Sequence, residues 1–568
     1  MASVPSWRHG RGCVSIALVV SATFGVALAA GARQFPDRAV AWEEHDDEDV
    51  ARPPTRTRLQ DMPATLLIRD SLAGEVDRVL ALEPGRPARD VNALDEVPCS
   101  TWFCPRNHLA PLSPAEAALG PPEAVPPRLP LRVVKGKEGG ATVGFEVVDS
   151  AGRRYLLKLD PAGHLGLTTG AEMIGERLFH AAGYNVPGAF LVDLASGDVT
   201  VDPSATYRLF DVELKPLTPE RVREKLAGAA RGADGRVRAV LTPWVPGRLL
   251  GGFDMLGRRP DDPNDRIPHE DRRSLRASWV IFAWLSEVDP GSINSLDAYV
   301  TEAGRRFVRH YLIDFGATLG SFTTRPKGIH EGAEHIIEVG RTLTGIASLG
   351  AYRRPFEDER SAWESAVETL PSAGWFPAEG FDPDEYRPRT KVPAHMRRTA
   401  RDLYWGAKVV TSFTDAQLAA VVATANMPPR DAAYIERALR IRRDIIGRRY
   451  LLPVTAVENP RVSATGEEVC FDDLAISRGH ALRAATRYAM EVFDGGDRRL
   501  LEVLRAALDG EACAPLAASS PGGYRVVQIG VVRDPATGGP ARAKPARIHL
   551  RWRDAARRFV VVGLEHAE

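Results

Sequence analysis

The chain has 568 residues, of which 44% are hydrophobic, 26% charged and 7% aromatic, a usage that excludes a wholly disordered, collagen-like or multi-spanning membrane protein. Lysine and arginine together number 74, as do aspartate and glutamate, so no global field steers the molecule to nucleic acid or to an anionic bilayer, and its partners must be read from local sites. The length suits one catalytic-size domain with an extension at each end.

Residues 1–30 have the layout of a secretory signal peptide: Arg8, His9 and Arg11, an apolar run over 14–30, and small residues around Ala27-Leu28-Ala29-Ala30. Export to the periplasm or the outside follows, or a membrane anchor if the segment stays uncleaved, although the run is short of the ~20 apolar residues an anchor needs. Residues 31–90, with the acidic cluster Glu43-Glu44-His45-Asp46-Asp47-Glu48-Asp49 and then Pro53-Pro54, read as a flexible tether that includes a short helix over 64–82. The extension 91–130 carries Cys99 and Cys104. These could bridge locally, and Cys470 could pair with Cys513, since an exported chain can oxidise its thiols; two reduced pairs are the alternative. Cys-x4-Cys without a matching second pair gives zinc little support.

From 127 to 161 the residue usage turns to strand-like alternation, giving three antiparallel strands over 131–134, 142–148 and 155–159. Their first connection, Lys135-Gly136-Lys137-Glu138-Gly139-Gly140, could bring the amides of Gly139 and Gly140 to phosphate oxygens, though most glycine-rich hairpin turns are simply turns. Lys158 sits in the third strand among apolar neighbours, where an ammonium needs a partner unless the strand is an edge facing water. A helix over 170–182 follows, with Met173, Ile174, Leu178 and Phe179 as its apolar face. It offers Glu172 as that partner, with Glu176 as second choice.

A strand over 236–241 leads into Thr242-Pro243-Trp244-Val245-Pro246-Gly247. A helix over 272–285 then ends at a Pro290-Gly291 break that holds Asp289 and Asn294 on a loop. A hairpin with strands at 296–300 and 306–313 delivers Asp314-Phe315-Gly316. Phosphoryl transfer needs these residue types: an aspartate to take the proton of the attacking hydroxyl, and an asparagine and second aspartate as hard oxygen ligands for Mg²⁺.

With Lys158, Glu172, Asp289 to Asn294 and Asp314 to Gly316 in this order, the chain resembles the protein kinase-like superfamily over about 131–451. Within it the resemblance is to atypical members, the HipA-like and secretory-pathway kinases, and to exported bacterial proteins with a run like Tyr311-Leu312-Ile313-Asp314-Phe315-Gly316. The resemblance implies an α+β, two-lobed fold, with a small antiparallel β-rich N-lobe and hinge over 131–247 and a mostly helical C-lobe over 248–450. It implies ATP with Mg²⁺, or Mn²⁺ in its place. Lys158 would hold the α/β-phosphates and pair with Glu172, Asp289 would be catalytic, Asn294 and Asp314 would bind the metal, and Trp244 and Val245 would receive adenine. The acceptor is a hydroxyl on a protein, lipid or glycan. There are departures: Glu287-Val288 stands where His-Arg is usual, the glycine loop lacks its Gly-x-Gly-x-x-Gly spacing, and no Ala-Pro-Glu follows Gly316. Gly291 also replaces the lysine usual two residues after the aspartate. The alternative is a catalytically silent pseudokinase or envelope-binding module.

Beyond Gly316 the pattern predicts helices over 333–349, 362–370, 396–411, 415–423 and 429–450. His330 and His335 are five apart and so fall on different helix faces, unlike a zinc-binding His-Glu-x-x-His pair. The last helix carries Arg437, Arg440, Arg442, Arg443, Arg448 and Arg449. This is a solvated or salt-bridged face, or else a contact for an anionic envelope or membrane surface. Residues 451–568 read as a small α+β module with strands over 469–474, 524–532, 546–552 and 558–564 and a helix over 479–507.

Overall fold

Alternation of buried and exposed side chains from Leu131 onward builds a seven-stranded sheet, which the computed structural model orders as β4 (Phe190–Leu194), β7 (Val237–Pro243), β3 (Arg154–Leu159), β2 (Gly144–Val148), β1 (Leu131–Gly136), β5 (Val199–Tyr207) and β6 (Lys215–Pro216). The structure describes residues 34–57, 59, 69–70, 85–136, 144–208, 214–336, 339–352, 370–507, 512–516, 523–534 and 542–568. The expected signal peptide, Gly139 and Gly140, and nearly all of the expected helices 64–82 and 362–370 lie outside the described residues.

After a capped helical turn, α1 (Pro114–Leu119), the sheet strands are β1 (Leu131–Gly136), β2 (Gly144–Val148), β3 (Arg154–Leu159), β4 (Phe190–Leu194), β5 (Val199–Tyr207), β6 (Lys215–Pro216) and β7 (Val237–Pro243). β1, β2 and β3 are antiparallel neighbours. The sheet as a whole is mixed rather than antiparallel, because β5 lies parallel to β1. Leu131, Val133, Phe145, Val147, Tyr155 and Leu157 form its own core. Helix α2 (Leu167–Ala182) follows β3, and its first turn is anchored by Asp160, whose carboxylate accepts the amides of Gly166, Thr168 and Thr169 at 2.7, 2.9 and 2.8 Å. A further helix, α3 (Pro219–Ala227), precedes β7.

A second sheet, ordered β10-β9-β8, joins β8 (Arg248–Gly251) to the hairpin β9 (Ser295–Glu302) and β10 (Arg305–Leu312). Between β8 and β9 the expected helix 272–285 is divided into α4 (Arg273–Arg276) and α5 (Ser278–Leu285). The helices that follow are α6 (Val339–Ala347), α7 (Pro393–Met396), α8 (Ala400–Thr411), α9 (Asp415–Thr424) and α10 (Pro429–Leu451). Within the expected helix 333–349 the described helix is Val339–Ala347, and Gly332 and Ala333 instead bridge to Arg387. The expected helix 396–411 restarts at Ala400 behind a Thr399–Asp402 capping box. Ile174, Leu178, Phe179, Trp279, Phe282, Trp284, Trp405, Leu418 and Ile435 join α2, α5, α8, α9 and α10 in one large core.

Two expectations about the ends are corrected. The described part of 31–90 lies on the body rather than hanging as a tether. Its acidic cluster pairs Glu44 with Arg272, Asp47 with Arg305 and Asp49 with Arg306, and Phe35 packs with Tyr524, Val526 and Val562. The expected helix 479–507 is a hairpin of β13 (Thr486–Asp494) and β14 (Arg499–Ala506), preceded by β11 (Val457–Val462), β12 (Glu468–Asp473) and the short α11 (Leu474–Ser477). Tyr488, Met490 and Val492 are buried at a spacing of two, and pairing with the long neighbour β16 (Tyr524–Arg533) fixes the segment as strand. With β15 (Ala512–Pro515), β16 (Tyr524–Arg533), β17 (Ala546–Arg553) and β18 (Arg558–Glu565), the described C-terminal region is two antiparallel sheets rather than an even α+β mixture. Disulfides join Cys99 to Cys104 and Cys470 to Cys513, which is compatible with export. Among the described residues, no helix is long and apolar enough to cross a membrane.

Candidate functional site

Lys158 is buried in β3, facing α2, and its Nζ donates to Glu172 Oε2 and to Asp314 Oδ1, each at 2.8 Å. Strand, helix and hairpin thus meet on one amine. Burial by itself would push this lysine down, but the charges of Asp314 and Glu172 outweigh it and hold the ammonium above its usual range. Glu176, the second-choice partner, is also buried one turn further along α2, with Oε1 lacking a hydrogen bond and Arg177 at 3.4 Å. Burial pushes its carboxyl up to about 8, against the Arg177 charge.

A raised carboxyl binds its proton more tightly in the folded state than in the unfolded chain. Its stabilising contribution is therefore intact at acid pH and lost as pH rises from the ordinary glutamate value of 4.5 through about 8. Glu176→Gln should match wild type near pH 5 and exceed it near pH 8.5 by on the order of a few kcal/mol, read from denaturant midpoints at the two pH values. Parallel pH curves for the two proteins would show that Glu176 is not protonated in the fold.

Asp314 follows the hairpin in a left-handed conformation, φ 63° and ψ 65°, and begins the tight turn Phe315–Ala317. Left-handed backbone at a non-glycine residue costs on the order of 1–3 kcal/mol and persists where packing imposes it. Here Phe315 is buried against Phe179 of α2, with ring centroids 4.8 Å apart. The helix approaches this closely because position 175 is glycine: a Cβ there would sit 2.7 Å from that of Phe315.

The Asp289 loop is held from several sides. The amides of Val288 and Asp289 donate to Glu287 Oε1 at 2.9 Å each, Asn294 Nδ2 donates to the Asp289 carbonyl at 2.8 Å, and Ile313 N donates to the Asn294 carbonyl at 3.1 Å. The Asp289 carboxyl is raised by burial, opposed by Arg389 at 3.5 Å and reinforced by the charge of Asp314. Glu287 is buried beneath them with Oε2 lacking a hydrogen bond, and burial pushes it up to about 8.

Lys158, Glu172 and Asp314 are therefore joined directly, and the loop carrying Asp289 and Asn294 is tied to Ile313, the residue before Asp314. The linker residues are used differently. Val245 packs into the core with Ala298, Val300 and Phe307. Trp244 is 38% exposed, with the Arg154 guanidinium 3.8 Å above its ring. One residue before Pro243, the buried Thr242 hydroxyl has no hydrogen-bond partner. The arginines of α10 are mostly salt-bridged, Arg437 to Glu379, Arg443 to Asp415 and Arg449 to Asp384, and Arg442 is buried against Phe376 and Phe381.

Among the described residues, no group of three His, Cys, Asp or Glu side chains is placed to hold a metal ion by itself. The donor set at the site, one carboxylate and one amide, suits a hard cation that completes its shell with phosphate oxygens and water, as Mg²⁺ on a nucleotide does. Glu287 and Arg389 were missed in the sequence. Glu287 is distinguished only by its burial in the fold, and Arg389 reaches the site from 100 residues away. Neither a protein-family model nor a curated protein matches this chain.

Proposed function

We propose that this chain is a phosphotransferase of the atypical protein kinase-like class, two-lobed about the Lys158 cleft, which moves the γ-phosphoryl of ATP to a hydroxyl acceptor on a protein, lipid or glycan. The observation that carries this reading is the single amine of Lys158 bound to both Glu172 and Asp314, with the Asp289–Asn294 loop tied to the residue before Asp314. Glu172 fixes the direction of the ammonium, which then has a phosphate oxygen within its reach. Asn294 and Asp314 would hold Mg²⁺ or Mn²⁺, and that ion supplies neutralisation of phosphate charge. Asp289 accepts the hydroxyl proton at its carboxylate as the acceptor oxygen bonds to phosphorus; the bond from the γ-phosphorus to the β,γ-bridging oxygen breaks and ADP leaves. Desolvation that raises Asp289 above an ordinary aspartate makes it a better proton acceptor.

The wild-type protein should be stabilised against heat by MgATP and should transfer phosphate. Asp314→Ala should lose about a thousandfold or more in transfer, together with the metal-dependent part of the ATP stabilisation. A wild type that gains no stability from MgATP defeats the reading. A wild type that binds MgATP but transfers to no acceptor, neither itself nor envelope protein, lipid or glycan fractions, is a catalytically silent pseudokinase or envelope-binding module.

A further inference from the structure

We infer that Arg389 supplies the cation that the Asp289 loop lacks and that it touches the phosphoryl group during transfer, an inference that rests on the phosphotransferase reading above. Lys158 is engaged by two carboxylates. Asn294 and Asp314 would hold the ion that neutralises the nucleotide side of the site. Asp289, itself a carboxylate, must still approach an anionic phosphoryl group from the acceptor side, where the Arg389 cation lies 3.5 Å from it. Such a site needs a further positive charge on the acceptor side, because like charges converging in a partly buried cleft repel strongly. The loop cannot provide it: the position two residues after Asp289 is Gly291, at φ 130°, a backbone conformation that favours glycine over a side chain.

The structure brings a guanidinium there from far along the chain. The Arg389 amide donates to the Val288 carbonyl at 2.8 Å, and the Arg389 carbonyl accepts from Ile336 N at 2.8 Å, so its backbone is sewn directly to the loop it faces. Its Nη1 lies 3.5 Å from Asp289 Oδ1, a single long contact rather than a bidentate pair. The side chain is 39% exposed and its guanidinium carbon is 5.2 Å from the Phe322 ring. A guanidinium used only as a strut would close on the carboxylate with two short bonds. This one is aimed at the base, held by its own backbone, and keeps donors for a second anion. A planar fork of donors matches phosphoryl oxygens in geometry and charge.

The test compares wild type, Arg389→Met and Arg389→Lys with two probes: MgATP, and MgADP with aluminium fluoride, which mimics the planar phosphoryl in flight. Arg389→Met should bind MgATP within about twofold of wild type, lose tenfold or more in affinity for the fluoride complex, and fall about a hundredfold or more in kcat with a near-constant KM for MgATP. Arg389→Lys, which keeps the backbone bonds and the charge, should recover part of both losses; a purely structural role predicts no such rescue. If Arg389→Met does not fold, the lysine variant must still show a partial loss. Fluoride-complex affinity unchanged in Arg389→Met, or no gain from fluoride in a wild type that binds MgATP, overturns this inference alone. A wild type that does not bind MgATP defeats the phosphotransferase reading and this inference with it.

Discussion

Lys158→Met is expected to abolish phosphoryl transfer and to lower folding stability by about 3–5 kcal/mol, the usual consequence of removing one member of a buried ionic cluster. The amine is buried, and so is the Glu172 carboxylate that it holds. Methionine fills most of the same volume but leaves Glu172 and Asp314 sharing a space with no cation between them, and their repulsion adds to the desolvation cost. The sign with pH follows from the raised lysine. A lysine held above its usual range contributes stability that is fully present below the ordinary value of 10.5 and is lost only as pH rises through the higher folded-state value. The wild-type contribution of Lys158 should accordingly stay constant from pH 7 to pH 9, so the deficit of the variant in urea unfolding should not shrink over that range, and should grow if the carboxylates left without a cation give up a bound proton. Adding Glu172→Gln to Lys158→Met should restore part of the stability and none of the transfer, which separates structural from chemical loss. A Lys158→Met protein that transfers phosphate at the wild-type rate would remove Lys158 from the site.

What could be read along the chain was what local chemistry dictates. An apolar strand carrying one lysine, followed by an amphipathic helix carrying a glutamate, specifies a pairing, because the ammonium cannot be left alone and Glu172 lies on the first turns within reach. The hairpin that presents Asp314 was legible from its alternation, and its register carries Leu312 opposite Ser295, next to the Asn294 loop. The rest depends on contacts distant in sequence. An acidic run such as Glu43 to Asp49 looks solvated until Arg272, Arg305 and Arg306 are brought to it by the hairpin and the helices before it. β14 is made almost wholly of Leu, Arg, Glu and Ala, good helix formers, and it is a strand because it pairs with β13, which is itself held by the ten-residue β16. Arg389 is hidden for the same reason: nothing around it in sequence distinguishes it from the other arginines of its segment.

Gly175→Ala tests whether the helix and the Asp314 turn are one mechanical unit. Judged by local propensity alone, alanine should stabilise a helix over glycine by about 1 kcal/mol. Gly345→Ala in α6 should show that gain, because nothing lies within 4 Å of where its Cβ would be. At Gly175 the sign should reverse. The new Cβ would lie 2.7 Å from Phe315 Cβ and 3.3 Å from its Cγ, and the atom approached is at the root of the side chain rather than at a flexible end. Phe315 cannot turn aside, because Phe179 stacks on it from the same helix. The strain must therefore move the backbone of Phe315, and with it Asp314 and its 2.8 Å bond to Lys158. An overpacked core costs about 1–3 kcal/mol, and a displacement near 1 Å at a reacting group costs about a hundredfold in rate. Gly175→Ala should thus lose stability and, in the fraction that remains folded, lose transfer about a hundredfold, as measured by calorimetry and by assay well below the melting temperature. If it is as stable and as active as wild type, the turn yields without moving Asp314, and the coupling of α2 to the site through Phe315 is wrong.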